Sequence, residues 1–157
     1  MTTADELIAD YRRNTWIIRE QNKGLTHAQA LTQPPYNINC MNWVLGHILA
    51  SRDDVLAMVG ADPLLGARAG PYKRESEPIT EDGPGVVSLD DLIDLVGKSQ
   101  HALAAALSAS GDTLTAQIED EETLAERIRF SLWHDTYHTG QTDLLRQMSG
   151  MNDAIIT

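Results

Sequence analysis

A single cysteine, Cys40, stands in the 157-residue chain, so no intramolecular disulfide is available. A disulfide-stapled fold is excluded, and a reducing compartment is expected. Basic residues are also few: 12 Lys and Arg stand against 23 Asp and Glu, a formal net charge of −11. They are scattered, no stripe is positioned to neutralise several phosphates, and a nucleic-acid partner is not expected. Long apolar runs are missing as well. The longest candidate, WVLGHILA at 43–50, carries His47 in its middle and falls well short of the roughly 20 residues that a bilayer-spanning helix needs. The N-terminal segment has no continuous apolar stretch to serve as a signal-peptide core, so a cytoplasmic protein without a membrane partner is expected. Strand-like alternation, internal repeats and low-complexity tracts are likewise absent from the sequence.

What is present is helical periodicity. At 157 residues with 42% apolar residues, the chain is long enough for one core, and a single domain over 1–157 is expected. The first segment opens on a Thr cap and acidic residues, repeats Leu7, Tyr11, Thr15 and Ile18, and stops at Gly24, which predicts a helix over 3–22. The paired prolines of LTQPPYNIN then make a connection. A second helix is predicted over 39–59, capped by Asn39 and ended by Gly60, and its apolar first half marks it as the most buried element. Residues 60–87 are dense in Gly and Pro and show neither period, which makes them a crossover of unusual length. Such a crossover suggests that the helices it joins are not simple hairpin neighbours. Ser88 and Asp91 resemble a capping box for a third helix to about 109, weakened by Gly97. A fourth runs from near Glu121 to about Met148. Four amphipathic helices make an all-α four-helix bundle the economical architecture.

Advancing the fourth stripe by threes and fours from Leu124 passes Ile128, Ser131, His134, His138, Gln141, Leu145 and Met148. His134 and His138 are therefore expected to face inward, one turn apart, where two imidazoles converge on one ion. Of the remaining histidines, His27 lies in a linker and His101 in the middle of the third helix, whereas His47 lies deep in the most apolar helix. An unpaired imidazole is costly to bury there, so His47 is the best third ligand. The competing reading is three hydrogen-bonded core histidines. HxxxH alone is weak, and no Glu follows His134 as in the zincin helix.

Gly46 and Gly140 serve helix packing or close approach to the metal. Asp135 and Tyr137 point about 100° away from the ligands. Cys40 is a small buried residue; Gln141 is a packing or surface amide ahead of a hydrogen-bond partner to a metal-bound species, and Arg127 and Arg129 are solvated or ion-paired ahead of receiving an acidic substrate. Trp16, Trp43 and Trp133 are assigned to the core.

The segments NWVLGHI at 42–48 and HDTYHTGQTDLLRQ at 134–147 resemble the two signature stretches of the DinB-like superfamily of metal-binding helical bundles. That resemblance implies an up-down-down-up topology and a divalent metal held by His47, His134 and His138. It further implies a homodimer. Relatives include S-transferases and isomerases that use a low-molecular-weight thiol, mycothiol or bacillithiol, and metal-dependent hydrolases. An open three-imidazole site suits either chemistry on a small-molecule substrate, by activating water or holding a thiolate. The alternative is a noncatalytic metal-binding structural dimer. Three imidazoles accept Zn, Ni, Fe, Cu or Mn, so the donor set does not name the metal.

Overall fold

Helix α1, Ala4–Asn22, begins where expected because Thr3 and Glu6 close a reciprocal capping box. The computed structural model describes residues 2–119, 122–153 and 155. A one-turn helix α2, His27–Ala30, follows; α3 spans Met41–Met58, α4 spans Leu89–Ser110 and α5 spans Leu124–Met148. The chain is mostly helical, as expected. No helix among the described residues is long and apolar enough to cross a membrane.

Local chemistry shifts several boundaries. Cys40, not Asn39, occupies the N-cap of α3, and its side chain makes no capping bond. Burial of twelve of the helix's residues supplies what the cap does not. The expected start of the last helix at Glu121 lies outside the described residues. A short antiparallel hairpin, β1 Gln117–Glu119 with β2 Glu122–Thr123, precedes α5, although no alternation announced it. Two and three residues are too few for a period to show. Thr123 then caps α5: its hydroxyl accepts the Glu126 N–H, and the Glu126 carboxylate accepts the Thr123 N–H at 2.8 Å. Thr123→Ala is expected to cost about 1 kcal/mol in urea unfolding, the usual worth of such a cap.

Helices α1 and α3 each pack against both α4 and α5. The core falls into two apolar clusters, one around Ile18, Ile48, Leu92 and Leu145, the other around Leu7, Leu56, Leu107 and Ile128. Following the chain, α1 and α5 pass from the second cluster to the first, and α3 and α4 pass from the first to the second. The end of α3 and the start of α4 thus sit at opposite clusters. Their connection must run the length of a helix, about 27 Å for 18 residues, which is the physical reason for its length.

That crossover is built rather than structureless. Asp53 accepts the N–H groups of Leu64, Leu65 and Gly66 and so anchors a 3-10 helix over Gly66–Tyr72. Tyr72 at its end is fully buried against α3.

Between the two clusters lies a polar layer. Arg52 of α3 donates to both carboxylate oxygens of Asp135 on α5 at 2.7 and 3.3 Å, to the Thr15 hydroxyl on α1, and to the Ser99 hydroxyl and Val96 carbonyl on α4. Asn14 donates to Asp135 at 2.8 Å. All four long helices meet at this one ion pair, whose partners are each 1% exposed.

Candidate metal centre

Helix α3 carries His47 and helix α5 carries His134 and His138, and the packing of α3 on α5 brings them together. The Nε2 atom of His134 lies 3.2 Å from Nε2 of His47 and 3.1 Å from Nε2 of His138. One ligand atom from each falls within 4.8 Å of the others. His27 and His101 stand elsewhere: His27 accepts the Leu89 N–H and meets Asp82, and His101 is exposed on α4.

Hydrogen bonds decide which nitrogens face the centre. Nδ1–H of His47 donates to the Tyr72 carbonyl at 2.7 Å, and Nδ1–H of His138 donates to the Gln141 amide oxygen at 2.8 Å. A carbonyl oxygen accepts only, so the proton is on Nδ1 in both rings, and each Nε2 presents a lone pair toward His134. The Trp43 ring stacks on His47 at 4.5 Å, and its indole N–H donates to Ser76. The crossover therefore fixes His47 twice, through Tyr72 and through Ser76.

Burial disfavours the imidazolium forms. His47 is pushed below its ordinary pKa chiefly by desolvation, partly offset by the Tyr72 carbonyl. Desolvation, with the nearby His47, lowers His134 as well. Desolvation pushes His138 down to about 4 against the opposing bond from Gln141. Three imidazoles with Nε2 atoms at one point, two of them with lone pairs aimed there, make a donor set for a cation. With M–N bonds of about 2.0–2.1 Å, ligands at right angles or tetrahedral angles sit roughly 2.9–3.4 Å apart, which brackets the two short spacings. His134 Nδ1 is buried without a partner, so nothing but the cluster itself orients that ring. The residues fit a divalent ion and are compatible with metal binding.

A cavity of about 670 Å³ opens beside the cluster, bounded by His47, His134, Phe130 and Asp54, with Lys73 and Arg74 on its wall. That volume suits a small-molecule ligand.

The DinB superfamily model matches residues 18–142, most of the chain and all three histidines. The chain belongs to the DinB superfamily. A crystal structure of a conserved protein from Enterococcus faecalis shares this DinB-superfamily fold, with a TM-score of 0.73 and 20% identity over 95% of this chain and 98% of that one. No curated protein matches the chain.

Several expectations about the site need correction. The buried stripe of α5 runs through Ile128, Leu132, Asp135, Thr139, Thr142 and Leu145, so His134 and His138 flank the core, half-buried, instead of lying on its axis. Asp135 does point away from the ligands, but into the core, where it holds Arg52. Trp16 and Trp133 are 54% and 60% exposed, and only Trp43 is buried. Gln141 is neither packing filler nor free surface, since it orients His138. Arg127 pairs with Glu122, and Cys40 is buried, as expected. Tyr72 went unnoticed because its role lies in a backbone carbonyl, which no side-chain motif encodes. The signal that pointed to it is Gly46, beside His47, which makes room for its ring.

Proposed function

We propose that this DinB-superfamily protein is a metal-dependent enzyme acting on a small molecule, with His47, His134 and His138 as ligands of one divalent ion. The observation that carries the proposal is the convergence of three neutral Nε2 atoms, two of them aimed by Nδ1–H bonds to Tyr72 and Gln141. A divalent ion there would supply Lewis acidity, lowering the pKa of a water or thiol at an open position. The chain's own residues do the rest. Tyr72 and Gln141 keep Nε2 of His47 and His138 unprotonated toward the centre, and Trp43 closes one face of His47 to solvent. The cavity walls receive the substrate, with Lys73 and Arg74 placed to meet an anionic group.

Thiol S-transfer is assigned ahead of hydrolysis, because a cavity of about 670 Å³ has room for a low-molecular-weight thiol beside its electrophile. The opposed directions of α1 and α5 relative to α3 and α4 support a four-helix bundle of up-down-down-up topology. A cytoplasmic homodimer completes the proposal.

Metal analysis of protein purified without chelators tests the site. About one ion per chain is expected in the wild type and a small fraction of that in His134→Ala; equal metal in both would sink the assignment. Titrating a cobalt-loaded sample with a small thiol separates the chemistries. A shifted visible spectrum supports thiol binding at an open position, and an unchanged one removes the S-transferase reading. If chelation lowers the melting temperature while neither thiol nor hydrolytic substrates are turned over, the ion is structural.

A further inference from the structure

We propose that the outer face of α5 is the interface of an antiparallel homodimer, in which Trp133 packs against Tyr137 of a second copy and Phe130 packs over Gly140 of that copy. The inference rests on the homodimer proposed above and gives it a surface. Phe130, Trp133, Tyr137, Gly140 and Leu144 follow one another at spacings of three, four, three and four, the seam pattern of a coiled coil. The four side chains are 62%, 60%, 56% and 49% exposed. Phe130 stacks on Trp133 at 5.8 Å and Trp133 on Tyr137 at 6.0 Å, which makes one continuous aromatic ribbon. Helix α5 already buries its opposite face, so the chain's own core does not require this ribbon. A contiguous apolar strip of this size on a chain of net charge −11 marks an association surface.

Gly140 points to the occupant. A Cβ there would meet nothing within 4 Å, so packing inside the chain does not ask for glycine, and glycine weakens a helix interior. In an antiparallel pairing its empty position receives the Phe130 ring of the second copy, while Trp133 and Tyr137 form an aromatic pair; the twofold axis repeats both contacts. The same register brings Arg129 alongside Asp143 of the second copy. Within its own chain Arg129 meets the Thr2 hydroxyl, and Asp143 accepts the amides of Gln21 and Gln147, so neither is in an ion pair among the described residues. A parallel pairing would set Gly140 against Gly140, leaving a void, and would not bring Arg129 beside Asp143. The interface also borders the proposed metal centre, since Phe130 lines its cavity and the Tyr137 ring packs edge-on against His138 at 5.1 Å.

Sedimentation equilibrium tests the surface. The wild type is expected at twice the 17.3 kDa of one chain. Gly140→Gln has open space in the single chain and improves helix propensity, so its circular dichroism spectrum should be retained. Its dimer dissociation constant should rise by about tenfold or more. Arg129→Asp should also weaken the dimer, and adding Asp143→Arg in the same chain should restore it. A dimeric wild type whose dissociation constant is unchanged in Gly140→Gln overturns this interface and leaves the dimer standing. A monomeric wild type, whatever else the stripe binds, overturns both.

Discussion

Asp135→Ala is expected to lower unfolding stability by about 3–5 kcal/mol, because it strands the Arg52 guanidinium in the core without its counter-charge. The size follows from what is lost together. Arg52 forfeits bonds at 2.7 and 3.3 Å, and the Asn14 amide forfeits one at 2.8 Å. Neither donor has water to turn to, and a buried group left unsatisfied carries its full desolvation penalty. For a chain of this length, about 2–4 °C per kcal/mol translates the loss into a melting-temperature drop of roughly 6–20 °C. Replacing both partners by apolar residues, Asp135→Leu with Arg52→Met, should recover much of the deficit, since removing a buried pair is far less harmful than breaking it. Thermal or urea melts of the three variants decide the matter. A single-variant loss under about 1 kcal/mol would show that the ion pair is not what joins the four helices.

That layer also explains where sequence and structure part company. The four long helices were legible from apolar spacing and caps: Thr3 begins α1, Ser88 begins α4, and the apolar first half of α3 is buried at every position from Met41 to Leu49 except His47. The three histidines were legible too, His134 and His138 by their spacing and His47 by its apolar setting, and the structure brings all three together. The phase of α5 was not. Its buried face carries Asp135, Thr139, Thr142 and Arg146, and the stripe advanced from Leu124 through Ser131, His134, His138 and Gln141 slides past them. Asp135 finds Arg52 on α3 and Asn14 on α1, and Arg146 reaches the Gln21 carbonyl on α1, all more than eighty positions away, so no local pattern announces that these charges are satisfied inside. Trp133 was expected in the core on its aromatic character alone, whereas it stands on the solvent side of the helix.

Gly46→Ala is the second substitution with a large expected effect, and its consequence reaches the metal centre. A Cβ at residue 46 would fall within the van der Waals envelope of the Tyr72 ring. The ring has little freedom to yield: it is fully buried, its hydroxyl donates to Asn42 at 3.1 Å, and the same oxygen accepts the Val87 N–H at 2.7 Å. Asn42 in turn donates to the Val87 carbonyl, so shifting the ring disturbs a closed set of bonds between α3 and the crossover. Overpacking of this kind costs about 1–3 kcal/mol, and the helix-propensity gain of alanine over glycine, about 0.8–1 kcal/mol, offsets only part of it. The more telling readout is metal affinity. The Tyr72 carbonyl holds the Nδ1 proton of His47, so a displaced Tyr72 frees that ring to turn and to change tautomer. Loss of such an orienting bond weakens a metal site by about 10–100-fold. Competition with a chromogenic chelator measures it in the folded variant, below the onset of melting. A destabilised variant that binds metal as tightly as the wild type would mean that the crossover packs on α3 without aiming His47.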